Sequence, residues 1–140
     1  MNWTKINADE VVAYKKNPDS VYASKMLTGD EMAGGRVINI NDGVLAPFSK
    51  TGGAAHTDTE IYYMLDVGDD CDVVLNGEHI PVRNHDIIII PAGVHHWIDN
   101  TRSDKPFHLL TLWDREELNE TFLNRVKAWG KAMRYVKEEQ

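Results

Sequence analysis

The sequence predicts an all-β domain, an antiparallel sandwich or barrel, and three observations carry that reading. Residues 22–113 are a succession of short apolar segments separated by glycine, aspartate and asparagine turns. No part of that span keeps a helical period long enough for a βαβ crossover, which removes a parallel sheet. Asn76-Gly77 lies between apolar runs at 71–75 and 78–82, the mark of a two-residue hairpin, because both turn positions need positive φ.

The elements follow in order. Asn7 can cap a short N-terminal helix, with Glu10 three residues on and Val11, Val12 and Tyr14 as its apolar side. Asn17-Pro18 ends it, since proline restricts the residue before it and brings no amide donor. Residues 36–40 (RVINI) alternate as a strand, and in 60–65 the pleat sets Glu60, Tyr62 and Met64 against Ile61, Tyr63 and Leu65. An apolar strand runs Ile87–Ile90, Pro91 and Gly93 turn the chain, and a second strand opens at His95-His96 and closes at Asn100. Residues 107–113 (FHLLTLW) give the last strand. Asp114 then caps a long C-terminal helix over about 115–137, with Glu117 at its third position. Its stripe of Leu118, Phe122, Val126, Trp129, Met133 and Val136 needs a cover, either the outside of the barrel or a second copy.

With 140 residues the chain suits a single domain, 1–140, with the barrel at about 22–113. No stretch approaches the ~20 apolar residues that span a bilayer, so no membrane role is expected. The first residues lack an apolar signal core, which predicts the cytoplasm. Cys71 is the single cysteine; its apolar neighbours suit an inert core thiol. A net charge of −7 argues against nucleic acid as a partner. The expected partners are a small-molecule ligand and a second copy of the chain, a homodimer being the commonest closed assembly.

Two distant segments offer metal-capable side chains at strand ends. One is 52–65, a glycine turn leading into a strand with His56, Asp58 and Glu60; the other is 85–100, with His96 at a strand mouth. The second segment resembles the second motif of the cupin superfamily, Gly-x5-Pro-x-Gly-x2-His-x3-Asn. Pro91, Gly93, His96 and Asn100 match, and His85 stands in place of the opening glycine. The first motif, Gly-x5-His-x-His-x3 or x4-Glu-x6-Gly, is matched in part. Counting back from Glu60, either His56 is its second histidine and Ala54 replaces the first, or His56 is the first and Asp58 replaces the second with a shortened link. Val67 stands where its glycine is expected, and Gly68 comes one later. The resemblance covers roughly 37–113. It implies a double-stranded β-helix, often dimeric, and functions ranging from dioxygenases, isomerases and lyases to pure binding modules, so fold does not choose among them.

Two imidazoles and a carboxylate in a barrel mouth make a facial triad with open positions, suited to Fe(II) first and to Mn, Zn, Ni or Co. The expected ligands are His56, Glu60 and His96, with Asp58 as substitute or fourth ligand; Asp58 or Tyr62 is expected to move the proton. At ~3.3 Å per residue, His56 and Glu60 would lie roughly 13 Å apart in an extended strand, so the chain must turn at Thr57-Asp58-Thr59 for both to reach one ion. His95 alternates outward, and His79 and His85 read as surface or turn groups. The expected function is a metal-dependent enzyme on a small polar or carboxylated metabolite: an oxygenase if the ion is ferrous, an isomerase or lyase if it is redox-silent. The alternative is a metal-free binding module in which His56, Asp58 and His96 hydrogen-bond a polar ligand. Tyr62, Met64, Ile88, Ile90, Ile98 and Leu110 are the expected cavity lining, mostly apolar, with Arg36 or Arg83 as the only fixed cations.

Overall fold

The computed structural model describes residues 3–28 and 37–113, which form two sheets and a core between them. In chain order the strands are β1 (Tyr14–Lys15), β2 (Tyr22–Thr28), β3 (Asn39–Leu45), β4 (Ser49–Lys50), β5 (Glu60–Asp66), β6 (Asp72–Leu75), β7 (Glu78–Pro81), β8 (Ile87–Ile90), β9 (His96–Asn100) and β10 (Phe107–Trp113). The larger sheet runs β1-β2-β3-β10-β5-β8 and the smaller β4-β9-β6-β7, with every pairing antiparallel. The expected all-β architecture is therefore present. The expected long helix at 115–137 lies outside the described residues.

The N-terminal helix is not formed. Ala8–Glu10 makes a single 3₁₀ turn, whose first amides are met by Asn7: its side chain accepts from the Asp9 amide at 2.9 Å. The chain is extended again by Val11, and Tyr14–Lys15 pairs with β2. Pairing with an available sheet edge satisfies these backbone groups, and a helix only two turns long has little to oppose it.

Inward residues follow the pleat. Leu45, Met64, Val73, Phe107 and Leu109 are fully buried and fill one end of the interior, with Cys71, Val67 and Val82 beside them. Burial is the main force on the Cys71 thiol, with Asp72 and Asp70 adding to it, and pushes its pKa up to about 11; the thiol is inert. The Asn76-Gly77 hairpin forms as expected, with φ of 48° and 82°.

The 87–90 run, expected as a fully apolar strand, is the edge of the larger sheet: Ile90 is buried, while Ile87 and Ile89 are 58% and 63% exposed. In the 36–40 region the strand starts only at Asn39, and Arg36 lies outside the described residues. There Asn39 and Asn41 point inward and Ile38 is 59% exposed. The other end of the interior is thus polar.

Candidate metal centre

The strand–turn–strand at 85–100 is held by backbone needs its sequence meets. His85 has φ 72°, the left-handed region, which accounts for a motif that asks for glycine there; its amide donates to the Met64 carbonyl at 2.7 Å. Gly93 has φ 83° and donates its amide to the carbonyl of His56 at 2.7 Å. Ala54 and His96 exchange two backbone bonds of 3.1 and 2.9 Å, and Thr51 and Ile98 are tied alongside by backbone and hydroxyl. Residues 51–56 thus lie against β9, and the two motif segments share one ladder. Asn100, fully buried, closes the segment by donating to the carbonyls of Ala46 and Lys105 at 3.1 and 2.9 Å.

Between His56 and Glu60 the chain bends at Thr57-Asp58. The bend removes the separation an extended strand would impose. One ligand atom each from His56, Glu60 and His96 lies within 4.8 Å of the others. His96 Nε2 stands 3.3 Å from Glu60 Oε1, and the His56 and His96 rings meet edge-on with centroids 5.1 Å apart. The Nδ1–H of His96 donates to the Val94 carbonyl at 2.9 Å, which leaves Nε2 directed at the group. Burial pulls the His96 imidazolium down, but the bonds to Glu60 and to Val94 outweigh it and hold its pKa above the ordinary histidine value.

The donor set fits a divalent ion. Two ligands bound side by side at bond lengths of ~2.1 Å stand roughly 3 Å apart, close to the His96–Glu60 spacing. A ring held through Nδ1 by a backbone carbonyl is also how metal-bound histidines are usually oriented.

Asp58, at the bend, is 4% exposed; it is not one of the three residues whose ligand atoms converge, and it is not among the residues that line the cavity. Tyr62 lies beside the group, its ring edge-on to His96 at 5.9 Å. His95 is exposed and lies against Gly53, as its alternation implied.

The three residues open into a cavity of about 910 Å³. Of the expected lining, Tyr62 and Ile98 are present. Met64 and Ile90 are instead closed into the core, Ile88 packs against it, and Leu110 lies on the opposite pleat face of β10 from Leu109. Arg83 is exposed and absent from the wall, whose cations are the exposed Lys16 and Lys50. Ser24, Asn41, Thr111 and Trp113 also line it, and sequence reasoning missed all four. A polar residue alternating in a strand reads as solvent-facing unless the interior itself is polar.

A second group, Asp72, His79 and Asp99, gathers on the outer face of the smaller sheet, where Asp72 and Asp99 are cross-strand partners. A cation is already there. Arg102 Nη2 donates to Asp72 Oδ2 at 3.0 Å, and His79 Nδ1 reaches the same oxygen at 3.1 Å. The network joins β6, β7 and the end of β9 as an ion-pair clasp.

No family model matches this sequence, and no curated protein matches it. Solved structures do. A predicted oxalate decarboxylase from Thermotoga maritima matches with a TM-score of 0.67 at 21% identity, over 79% of this chain and 98% of its own. An RmlC-like cupin from Shewanella frigidimarina matches at 0.65 and 12% identity, over 84% and 96%. The polyketide cyclase RemF from Streptomyces resistomycificus matches at 0.67 and 18% identity, over 80% and 79%. A two-sheet barrel with His and Glu side chains meeting at its polar end defines the class, and these likenesses give it its name: the chain has the fold of a small cupin. The three relatives carry different descriptions, so the shared fold leaves the reaction open. Among the described residues no helix is long and apolar enough to cross a membrane.

Proposed function

We propose that this chain is a metal-dependent enzyme acting on a small polar or carboxylated metabolite. His56, Glu60 and His96 would hold one divalent transition metal, Fe(II) in preference to Mn, Zn, Ni or Co, since two imidazoles and one carboxylate with open faces are the donor set Fe(II) favours. The observation that carries this reading is the convergence of the three ligand atoms within 4.8 Å at the wall of an open cavity. When bound, the ion would supply Lewis-acid stabilisation of a carboxylate, enediol or carbonyl oxygen.

The protein's own residues do the rest. The Val94 carbonyl fixes the His96 ring, and Tyr62, 8% exposed in the cavity wall beside His96, is placed to hold or deliver a proton through its phenol. The buried bend position of Asp58 leaves Tyr62 as the better proton carrier. We further propose that the chain acts in the cytoplasm as a homodimer. Ile87 and Ile89, exposed on the edge strand β8, favour association of this face.

The direct His96–Glu60 contact of 3.3 Å favours a second reading, a binding module without metal, because the pair satisfies itself. The two separate experimentally. Protein loaded in turn with Fe(II), Mn(II), Co(II) and Zn(II) is incubated with pooled hydroxy, keto and dicarboxylic acids, and their consumption is followed by mass spectrometry. Metal-dependent consumption, abolished by chelator and at least tenfold slower in Tyr62→Phe, supports the enzyme. Retention of an acid by metal-free protein, with none consumed under any metal, supports the binding module.

A further inference from the structure

Across the larger sheet, register places Asn41 beside Thr111 and Thr111 beside Tyr62, on strands β3, β10 and β5. All three line the cavity, and Glu60 is one inward position along β5 from Tyr62. Neighbouring strands are ~4.8 Å apart, so this row reaches roughly 10 Å from Tyr62, beside the candidate centre, to Asn41. Ser24 extends it: its hydroxyl donates to Asn41 Oδ1 at 2.5 Å, and Asn41 Nδ2 donates to the Tyr22 hydroxyl at 3.3 Å.

The row carries no charge, and it is nearly dry: Ser24, Asn41 and Thr111 are 3%, 4% and 5% exposed. Gly43 makes it possible. A Cβ at that position would collide with the Tyr22 hydroxyl, so the glycine lets the phenol lie against β3 and fix the Asn41 amide. Within the row, the Thr111 hydroxyl has no hydrogen-bond partner among the described residues. Thr111 is not among the residues with a sealed, unsatisfied polar atom: its hydroxyl opens to the cavity, where water or a ligand group can meet it.

Resting on the reading of His56, Glu60 and His96 as a metal centre, we propose that Thr111 and Asn41 form a subsite for a neutral oxygen group on the substrate. The substrate is then an acid whose chelating end meets the ion and whose far end, about three or four bonds away at the ~5 Å strand spacing, carries a hydroxyl or carbonyl. An apolar tail would leave the Thr111 hydroxyl unmet, and an anionic tail would find no cation in the row.

The test is a matched pair of probes, α-hydroxyvalerate and its ω-hydroxylated analogue, titrated calorimetrically into Fe(II)-loaded protein without oxygen. The analogue is expected to bind about tenfold more tightly. Thr111→Val, nearly the same shape and well suited to a strand, should erase that advantage with iron content unchanged; Asn41→Leu should reduce it. Equal or tighter binding of the unhydroxylated acid overturns the subsite, as does an advantage that survives in Thr111→Val, while leaving the metal reading intact. Binding that is unaffected by removing iron, or no binding at all, refutes the metal reading and the subsite with it.

Discussion

Substituting alanine for Gly43 inverts an ordinary rule. Gly43 lies on β3 and is not among the positive-φ glycines, so its backbone suits any residue. Alanine in such a position usually stabilises by about 0.4–1 kcal/mol, by restricting the unfolded chain. Here the added Cβ would sit 2.7 Å from Tyr22 Cζ and 3.0 Å from Cε2, and closer still to the hydroxyl, so the ring must move. Overpacking of this kind costs about 1–3 kcal/mol. Losing the Asn41–Tyr22 bond adds about 1 kcal/mol. With the usual gain from alanine set against these costs, the expected net destabilisation is about 1–3.5 kcal/mol, a fall in Tm of roughly 3–12 °C for a domain of this size. Calorimetry or urea unfolding of Gly43→Ala, Tyr22→Leu and the double variant gives the cycle. In the Tyr22→Leu background Gly43→Ala should become neutral or stabilising. A single Gly43→Ala variant within about 0.5 kcal/mol of the parent, or an equal cost with and without the tyrosine ring, would refute the placement of Tyr22.

Other outcomes follow from single contacts. Asn100→Ala should lower stability by about 1–3 kcal/mol, because the carbonyls of Ala46 and Lys105 both lose the donor that the fully buried Asn100 side chain supplies, and urea unfolding checks it. His108 donates to Asp42 at 2.6 Å, and that bond outweighs desolvation to raise its pKa. Its contribution to stability is therefore complete below about pH 6.5 and is lost as pH rises through the raised folded value; His108→Asn should flatten the dependence of Tm on pH above about 6.5. Ile89→Lys, on the exposed edge strand, should shift sedimentation equilibrium from dimer to monomer without changing circular dichroism.

The barrel was legible because its signals are local and chemical. Asn76-Gly77 can form hardly anything but a tight hairpin, and Pro91 with Gly93 marks the turn that delivers His96. The need for a bend between His56 and Glu60 was also readable, from strand geometry alone. The cavity wall was not. Ile38 and Ile40 look like core and Asn39 and Asn41 like surface, yet the sheet places them the other way round because the interior at that end is polar. Alternation gives two faces without saying which one is inside. The N-terminal helix failed for a different reason. Its cap is real, but a pairing edge on β2, invisible in sequence, competes for the same backbone.

In the proposed metal centre, His56, Glu60 and His96 bind one ion together. Anomalous diffraction at the iron edge, from crystals grown with Fe(II) under argon, tests it most directly. The expected result is a single strong peak within bonding distance of His96 Nε2, His56 and a Glu60 oxygen, absent from His96→Ala crystals. No peak there, or a peak only between Asp72, His79 and Asp99, would contradict it.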